Sequence, residues 1–214
     1  MEKHRIVKRV NTTETGKSGT NDTYLLLSNM DGVNWHSIFD FNKELQFWDK
    51  RSGDFIKLKL TNPRNEKRVT KMGPYYRKYG ISPGDAVVLE CLVEQAKGQK
   101  FYSIDYVDNS GILTLSVKSG VLELYNNDDL TLLNNLVENN NLKIHGTNKS
   151  IQFIKKDTIK RRTRDIYPIS IQIDGREEIF DIKSTELIQI ELISSKEIMV
   201  NKVNIIDYYN LEGK

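Results

Sequence analysis

The densest chemistry in this chain lies in Arg64-Asn65-Glu66-Lys67-Arg68-Val69-Thr70, just after the rigid Pro63. Arg64, Glu66, Lys67 and Arg68 place three cations and one anion within five residues. A guanidinium can pair bidentately with guanine O6 and N7, and a glutamate can accept from cytosine N4. Lysine and arginine also neutralise phosphates. A mixed Arg/Glu/Lys segment is therefore a better reader of base edges than a run of lysine. The same composition also fits a salt-bridge cluster on an exposed turn. The surroundings are basic too. From Lys57 to Lys78 there are eight cations (Lys57, Lys59, Arg64, Lys67, Arg68, Lys71, Arg77, Lys78) and one anion, Glu66. Such a patch suits a polyphosphate partner, or else a solvated loop.

The elements that would carry this segment read as strands. Ile56, Leu58 and Leu60 alternate with Lys57 and Lys59, the mark of a strand with one buried face. Ala86–Val93 is a fuller apolar run after the turn Ser82-Pro83-Gly84-Asp85, as expected of a central strand. Phe101–Val107 sets Tyr102, Ile104 and Tyr106 on one face and Ser103 and Asp105 on the other. Tyr24–Leu27 is a further strand, and Trp35–Phe41 a short helix. Short strands separated by turns predict a barrel or sandwich. The expected fold is mainly β with minor α, as a domain over residues 1–110. Residues 120–214 read as a smaller α+β unit. There Asp128 and Asp129 precede a helix running to about Glu138, with Leu130, Leu133, Leu136 and Val137 on one face. Asp174-Gly175 marks a hairpin between Ile169–Ile173 and Ile179–Ile182, and strands are expected over 186–193 and 199–206.

A second stretch joins the first in a resemblance. Arg9-Val10-Asn11-Thr12-Thr13-Glu14-Thr15-Gly16-Lys17-Ser18-Gly19 leads into Tyr24-Leu25-Leu26-Leu27. Together with Arg64–Thr70 and Lys71-Met72-Gly73, in the same order and separation, it resembles the N-terminal effector-binding domain of EcoRII-type restriction endonucleases. The resemblance covers about residues 5–108. That domain is similar in fold to the DNA-binding pseudobarrel of plant auxin-response-type transcription factors. The resemblance implies a seven-stranded open pseudobarrel whose two arms grip double-stranded DNA and read its major groove. Residues 9–22 would form one arm and residues 62–73 the other. The implied DNA-binding residues are Lys17, Thr20, Asn21 and Asp22 in the N-arm, and Arg64, Asn65, Glu66, Lys67, Arg68, Thr70 and Lys71 in the C-arm. The N-arm departs from the family's Gly-Gly-His-Gln pattern, so the family's target sequence is not carried over. Tyr75-Tyr76-Arg77-Lys78-Tyr79-Gly80 departs as well. Its tyrosines are expected to pack beneath the arm rather than touch sugar-phosphate.

The function expected from this is a sequence-specific recognition module or subunit of a prokaryotic restriction system. It would need no cofactor for binding, and a separate nuclease or methyltransferase subunit would be its partner. Two alternatives stay open: a transcriptional regulator on the same barrel, or a complete small Mg²⁺-dependent endonuclease. The endonuclease would use Asp181-Ile182-Lys183 as its Asp-x-Lys element, with Asp165 or Asp174 as the other acid. Asp-x-Lys arises readily by chance in so charged a chain, and Asp174 sits in a turn. Metal is otherwise not expected. His4, His36 and His145 are isolated, and the single cysteine, Cys91, lies in an apolar run and reads as a buried thiol. Gly16-Lys17-Ser18 lacks the upstream glycine of a phosphate-binding loop. A second basic cluster, Lys155, Lys156, Lys160, Arg161, Arg162 and Arg164, would either extend a DNA footprint or form a solvated turn. No apolar run of about 18 residues is present, so no membrane span is expected. No signal-like segment comes after the charged N-terminus, and the expected location is cytoplasmic.

Overall fold

The computed structural model describes residues 2–16, 23–27, 30, 32–63, 66–94, 96–162 and 165–212. In chain order these form β1 (Glu2–Arg9), β2 (Tyr24–Leu27), α1 (Trp35–Ile38), β3 (Glu44–Asp49), β4 (Asp54–Thr61), β5 (Lys67–Thr70), α2 (Gly73–Tyr79), β6 (Ala86–Glu94) and β7 (Gln99–Val107). Then come β8 (Ile112–Lys118), β9 (Val121–Leu124), α3 (Leu130–Glu138), β10 (Leu142–Ile144), β11 (Ser150–Lys155), β12 (Ile159–Lys160), β13 (Asp165–Ile166) and β14 (Ile169–Ile173). Last are β15 (Arg176–Glu177), β16 (Glu186–Ser194), β17 (Glu197–Asn204) and β18 (Ile206–Glu212). The chain is mainly β, as its alternating patterns require.

Two compact units result. The first comprises residues 1–108 with 206–214, and the second 109–205. The first unit's sheet is barrel-like and nearly closed, with strand order β18-β1-β6-β7-β3-β4-β5-β2. The central position of β6 agrees with its continuous apolar run. Its inner face and that of its neighbours bury Ile6, Val87, Leu89, Ile104, Phe47, Leu58 and Leu60. Cys91 is buried there, its thiol pushed up to about 12 by burial and donating to the Ile38 carbonyl.

One boundary needs correction. The pattern assigns residues 120–214 to the second unit, with its last expected strand over 199–206. Instead β17 ends at Asn204, and β18 pairs antiparallel with β1, from Lys8↔Ile206 to Glu2↔Glu212. Its inward side chains join the first core. Ile206 is buried, and the Tyr208 hydroxyl lies 2.9 Å from His4 Nδ1. On the other face Arg9 Nη1 meets Asp207 Oδ2 at 2.9 Å. Alternation marks a strand but does not name its neighbour, so the return is invisible in the pattern. The second unit is thus inserted between β7 and β18.

The open side of the barrel is held by an ion pair rather than a ladder. β1 is flanked by β18 and β6, and among the described residues β5 is the one strand beside β2. Between β1 and β2 runs the turn 11–16, in which Gly16 takes a φ of 76°. Glu14 in this turn is fully buried, as is Lys8 of β1. Lys8 Nζ donates to Glu14 Oε2 at 2.7 Å, and the Asn11 amide donates to the same oxygen at 2.9 Å. The Leu26 amide donates to Oε1 at 2.7 Å, and the Tyr24 amide to the Glu14 carbonyl at 3.2 Å. Each carboxylate oxygen is satisfied, which the burial of a charge demands. Burial lowers the Lys8 ammonium pKa, and the adjacent carboxylate opposes that shift.

The second unit holds an eight-stranded sheet of order β15-β14-β11-β10-β17-β16-β8-β9, with α3 packed near β11. The helix matches its expected span, and Leu133 and Leu136 are buried as read. A short 3-10 turn at 127–129 leads into it, with the Asn126 side chain accepting from the Asp128 amide. The hairpin at Asp174-Gly175 forms, but its return strand is only β15. Residues 179–182, expected as strand, are irregular, and Ile179 is 90% exposed. Removing one member of a buried ion pair strands the other charge. Glu14→Gln or Lys8→Met should therefore lower stability by about 3–5 kcal/mol, read as a fall in the urea midpoint. The double replacement by apolar residues should lose less than the sum of the two.

Candidate nucleic-acid interface

Lys17, Thr20, Asn21, Asp22, Arg64 and Asn65 lie outside the described residues, as does Arg164. What the structure describes is the roots of the two candidate arms. They lie side by side. β2 pairs antiparallel with β5, with Tyr24↔Thr70, Leu25↔Val69, Leu26↔Arg68 and Leu27↔Lys67 in register. Next to this ladder, Gly73 at the start of α2 approaches Thr23 so closely that a Cβ there would sit 2.7 Å from Thr23 Oγ1. Thr23 directly succeeds residues 17–22, and Gly73 closes the segment 62–73. Two stretches well separated in sequence therefore share one base.

Much of the expected C-arm is strand. β5 pairs with β4 on its other side, through Lys59↔Thr70, Leu60↔Val69 and Thr61↔Arg68. Successive side chains of a strand point to opposite faces. Arg68 and Thr70 consequently share the outer face, while Lys67 shares the parity of the buried Val69. A single partner cannot meet Lys67 and Arg68 as it would on a loop. Arg68 is also already engaged. Its Nε donates to Glu66 Oε2 at 3.0 Å, and its guanidinium lies 4.4 Å above the Tyr24 ring. Glu66 and Arg68 thus form the salt-bridge cluster that their composition allowed. The Thr70 hydroxyl donates to the Lys59 carbonyl at 2.9 Å. Lys71 has a left-handed backbone, φ 67°, and pairs with Glu44 of β3. That hydrogen bond, with the charge behind it, holds the exposed Glu44 carboxyl below its ordinary value.

The tyrosines of α2 pack, as expected. Tyr75 and Tyr76 are buried, and the Tyr76 hydroxyl donates to the Tyr24 carbonyl at 3.0 Å. This ties the helix to the root of β2. Tyr79 donates to Asp49 Oδ2 at 2.6 Å, joined there by Lys78 Nζ at 3.1 Å and the Ser52 hydroxyl at 2.9 Å. The Arg51 amide donates to Oδ1 at 3.1 Å. Burial alone would raise the Asp49 carboxyl pKa, but these four donors outweigh it and the net shift is downward. The basic residues of α2 divide accordingly, with Lys78 bound to Asp49 and Arg77 exposed on the helix surface.

The second unit offers the candidate nuclease element little framing. Asp181 and Lys183 are exposed on the irregular segment before β16. The Asp181 carbonyl accepts from Lys202 Nζ at 3.1 Å, and the Lys183 amide donates to Glu186 Oε2 at 2.8 Å. Asp174 accepts from both the amide and the hydroxyl of Ser150, at 2.9 and 3.0 Å, which is a turn-holding role. Asp165 lies in β13. Among the described residues no group of three or more His, Cys, Asp or Glu side chains converges as metal ligands would. Of the second basic cluster, Lys156 meets Glu177 at 3.3 Å beside a cavity of about 680 Å³, whereas Lys160, Arg161 and Arg162 are exposed. No helix among the described residues is long and apolar enough to cross a membrane.

Comparison of the chain with protein-family models, curated proteins and solved structures found no match.

Sequence reading places Glu14, Tyr24 and Gly73 inside the stretches that carry the resemblance but gives them no role, and it passes over Thr23; the structure makes these four the shared root. Gly73→Ala should cost about 1–3 kcal/mol by overpacking against Thr23. Thr23→Ala in the same chain should recover most of it, as a double-mutant thermal-melt cycle would show. Asp49 supplies an acid-limb test. Its lowered folded-state pKa means that its stabilisation is present above the unfolded value near pH 4 and is lost as pH falls through the folded value. Asp49→Asn should flatten the fall in urea midpoint between about pH 5 and pH 2.

Proposed function

We propose that the first unit is a sequence-specific double-stranded DNA recognition module of a prokaryotic restriction system, reading the major groove with arms at residues 9–22 and 62–73. The observation that carries this reading is the common root. The ladder Tyr24↔Thr70 to Leu27↔Lys67 and the Thr23–Gly73 contact bring the bases of both arm segments together, as a two-armed grip requires. The resemblance to the EcoRII-type effector domain supports it. So does the nearly closed, barrel-like sheet of the first unit, although β18 gives it eight strands where the resemblance implies seven. The cations of residues 57–78 add the charge that a duplex needs.

On this reading the arms divide their work by position. Arg64 and Asn65, in the β4–β5 connection, read base edges. Arg68 and Lys71, on the supporting strand and just after it, neutralise phosphates. Glu66 holds Arg68 over Tyr24 in the free protein and releases it, or shares it, when phosphate arrives. Cleavage or methylation belongs to a separate subunit.

Arg64→Ala should cost about 1–3 kcal/mol of specific binding and relax preference at one base position. Arg68→Ala should weaken all duplexes alike and reduce the salt slope by about one. Electrophoretic shift titrations on duplexes selected from a random pool, methylated and unmethylated, measure both. Unchanged binding by the Arg64→Ala/Arg68→Ala double variant rejects the arm assignment.

A further inference from the structure

The outer face of the first unit's sheet carries exposed aromatic rings where a barrel exterior normally carries polar residues. Register partners define one row across six strands: Tyr209, Arg5, Glu90, Ser103, Trp48 and Phe55. The adjoining row runs Leu211, Lys3, Leu92 and Phe101. Phe55 is 64% exposed, Phe101 57%, Tyr209 48% and Trp48 40%. Trp48 and Phe55 meet edge to face with centroids 5.1 Å apart. None of these rings belongs to the arm roots described above.

Cations are interleaved with the rings. Lys3 lies 3.1 Å and Arg5 4.0 Å from Glu90, and Lys50 donates to the same carboxylate. Three cations on one anion leave this spot with a surplus of positive charge. Burial opposes ionisation of Glu90, but Lys50 and Lys3 prevail and hold its carboxyl below the ordinary value. Lys57 shares the face of Phe55 two residues along β4, 3.9 Å from Glu44. Five inter-strand gaps separate Tyr209 from Phe55, a path of about 24 Å.

A surface of alternating π faces and cations fits a polymer that offers bases and phosphates in alternation. A duplex hides its base faces inside its own stack, whereas a single strand exposes them. A second copy of this chain fits poorly. In a two-fold contact the patch meets itself, and the cations around Glu90 would oppose their own copies. We propose that this face binds single-stranded nucleic acid, with bases stacked on Trp48, Phe55 and Phe101 and phosphates met by Lys3, Arg5 and Lys57. The site is separate from the duplex-reading arms and stands whether or not they read DNA.

The intact chain contains its own reporter. Of its two tryptophans, Trp35 is 2% exposed, so solvent-dependent quenching reports Trp48. Titration with a short oligothymidylate at low salt should quench this fluorescence. In an anisotropy assay with the labelled strand, Trp48→Ala/Phe101→Ala should lose about ten-fold or more in affinity. Trp48→Phe, which keeps a ring, should retain most of it. Lys3→Ala/Arg5→Ala should flatten the salt dependence by about one to two counterions. The substituted side chains are at the surface, so unchanged circular dichroism and urea midpoints are expected to certify folding. The proposal is overturned if the wild-type chain does not bind the oligonucleotide, or if the Trp48→Ala/Phe101→Ala variant binds it equally well. It is overturned too if sedimentation shows self-association that Trp48→Ala abolishes, which would assign the face to a second copy.

Discussion

The buried Lys8–Glu14 pair is the constraint on which the first unit depends. A sheet that curls without closing leaves backbone donors unpaired along its last strand, and those donors must find partners. Among the described residues β2 has a strand neighbour on one side alone, and Glu14 supplies part of the other. One carboxylate oxygen takes the Leu26 amide and the second takes Lys8 and Asn11. The pair thereby replaces a missing ladder with a point attachment. Such a solution is costly in desolvation and gains little net stability over apolar packing. What it provides is position. The carboxylate accepts only where three donors converge, so the turn 11–16 has one place to sit.

That position matters because the turn lies within the candidate N-arm, residues 9–22, and precedes its implied DNA-binding residues. Its first end is pinned by Glu14, and its second by Thr23 against Gly73 and Tyr24 beside Thr70. The C-arm is pinned in turn by strand pairing on both edges of β5 and by Tyr76 reaching the Tyr24 carbonyl. Recognition residues are best held on rigid supports, with loops confined to the tips. The alternation of β5 sharpens this division. It turns Arg68 outward and Lys67 toward the side of Val69, so under the proposed function base reading would fall to residues 62–66 and charge neutralisation to the strand.

How far this is legible in the sequence depends on what each pattern encodes. Period-2 alternation at Ile56–Leu60 and Phe101–Val107 records burial, and β4 and β7 appear where it places them. It does not record partners, which is why Ile206–Glu212 is assigned with the second unit rather than beside β1. It also misleads at Ile179–Ile182, where apolar residues line an irregular segment because β15 offers only two ladder positions. Lys8 and Glu14 look like surface residues because their burial depends on each other, a relation that no single-residue property displays. The cluster Arg64–Thr70 is visible as chemistry. Whether it forms a loop or a strand is not, since Lys67-Arg68-Val69-Thr70 is too short for period to decide.

The inserted second unit bears on what the barrel is. If residues 1–110 formed the whole of it, β1 would be an open edge, with the Ile6 and Lys8 register unpaired on one side. β18 covers that edge along seven residue pairs and contributes Tyr208 beside His4 and Trp35. The first unit is therefore complete only after the second has been made. The same strand brings Tyr209 and Leu211 onto the outer face next to Arg5 and Lys3. Strand pairing thus has two consequences at once. It shields an edge that would otherwise invite association, and it extends a row of rings and cations across the sheet. Edge protection alone would be met by polar residues at those outward positions. An exposed tyrosine and leucine there are unexplained by protection and consistent with a surface used for contact.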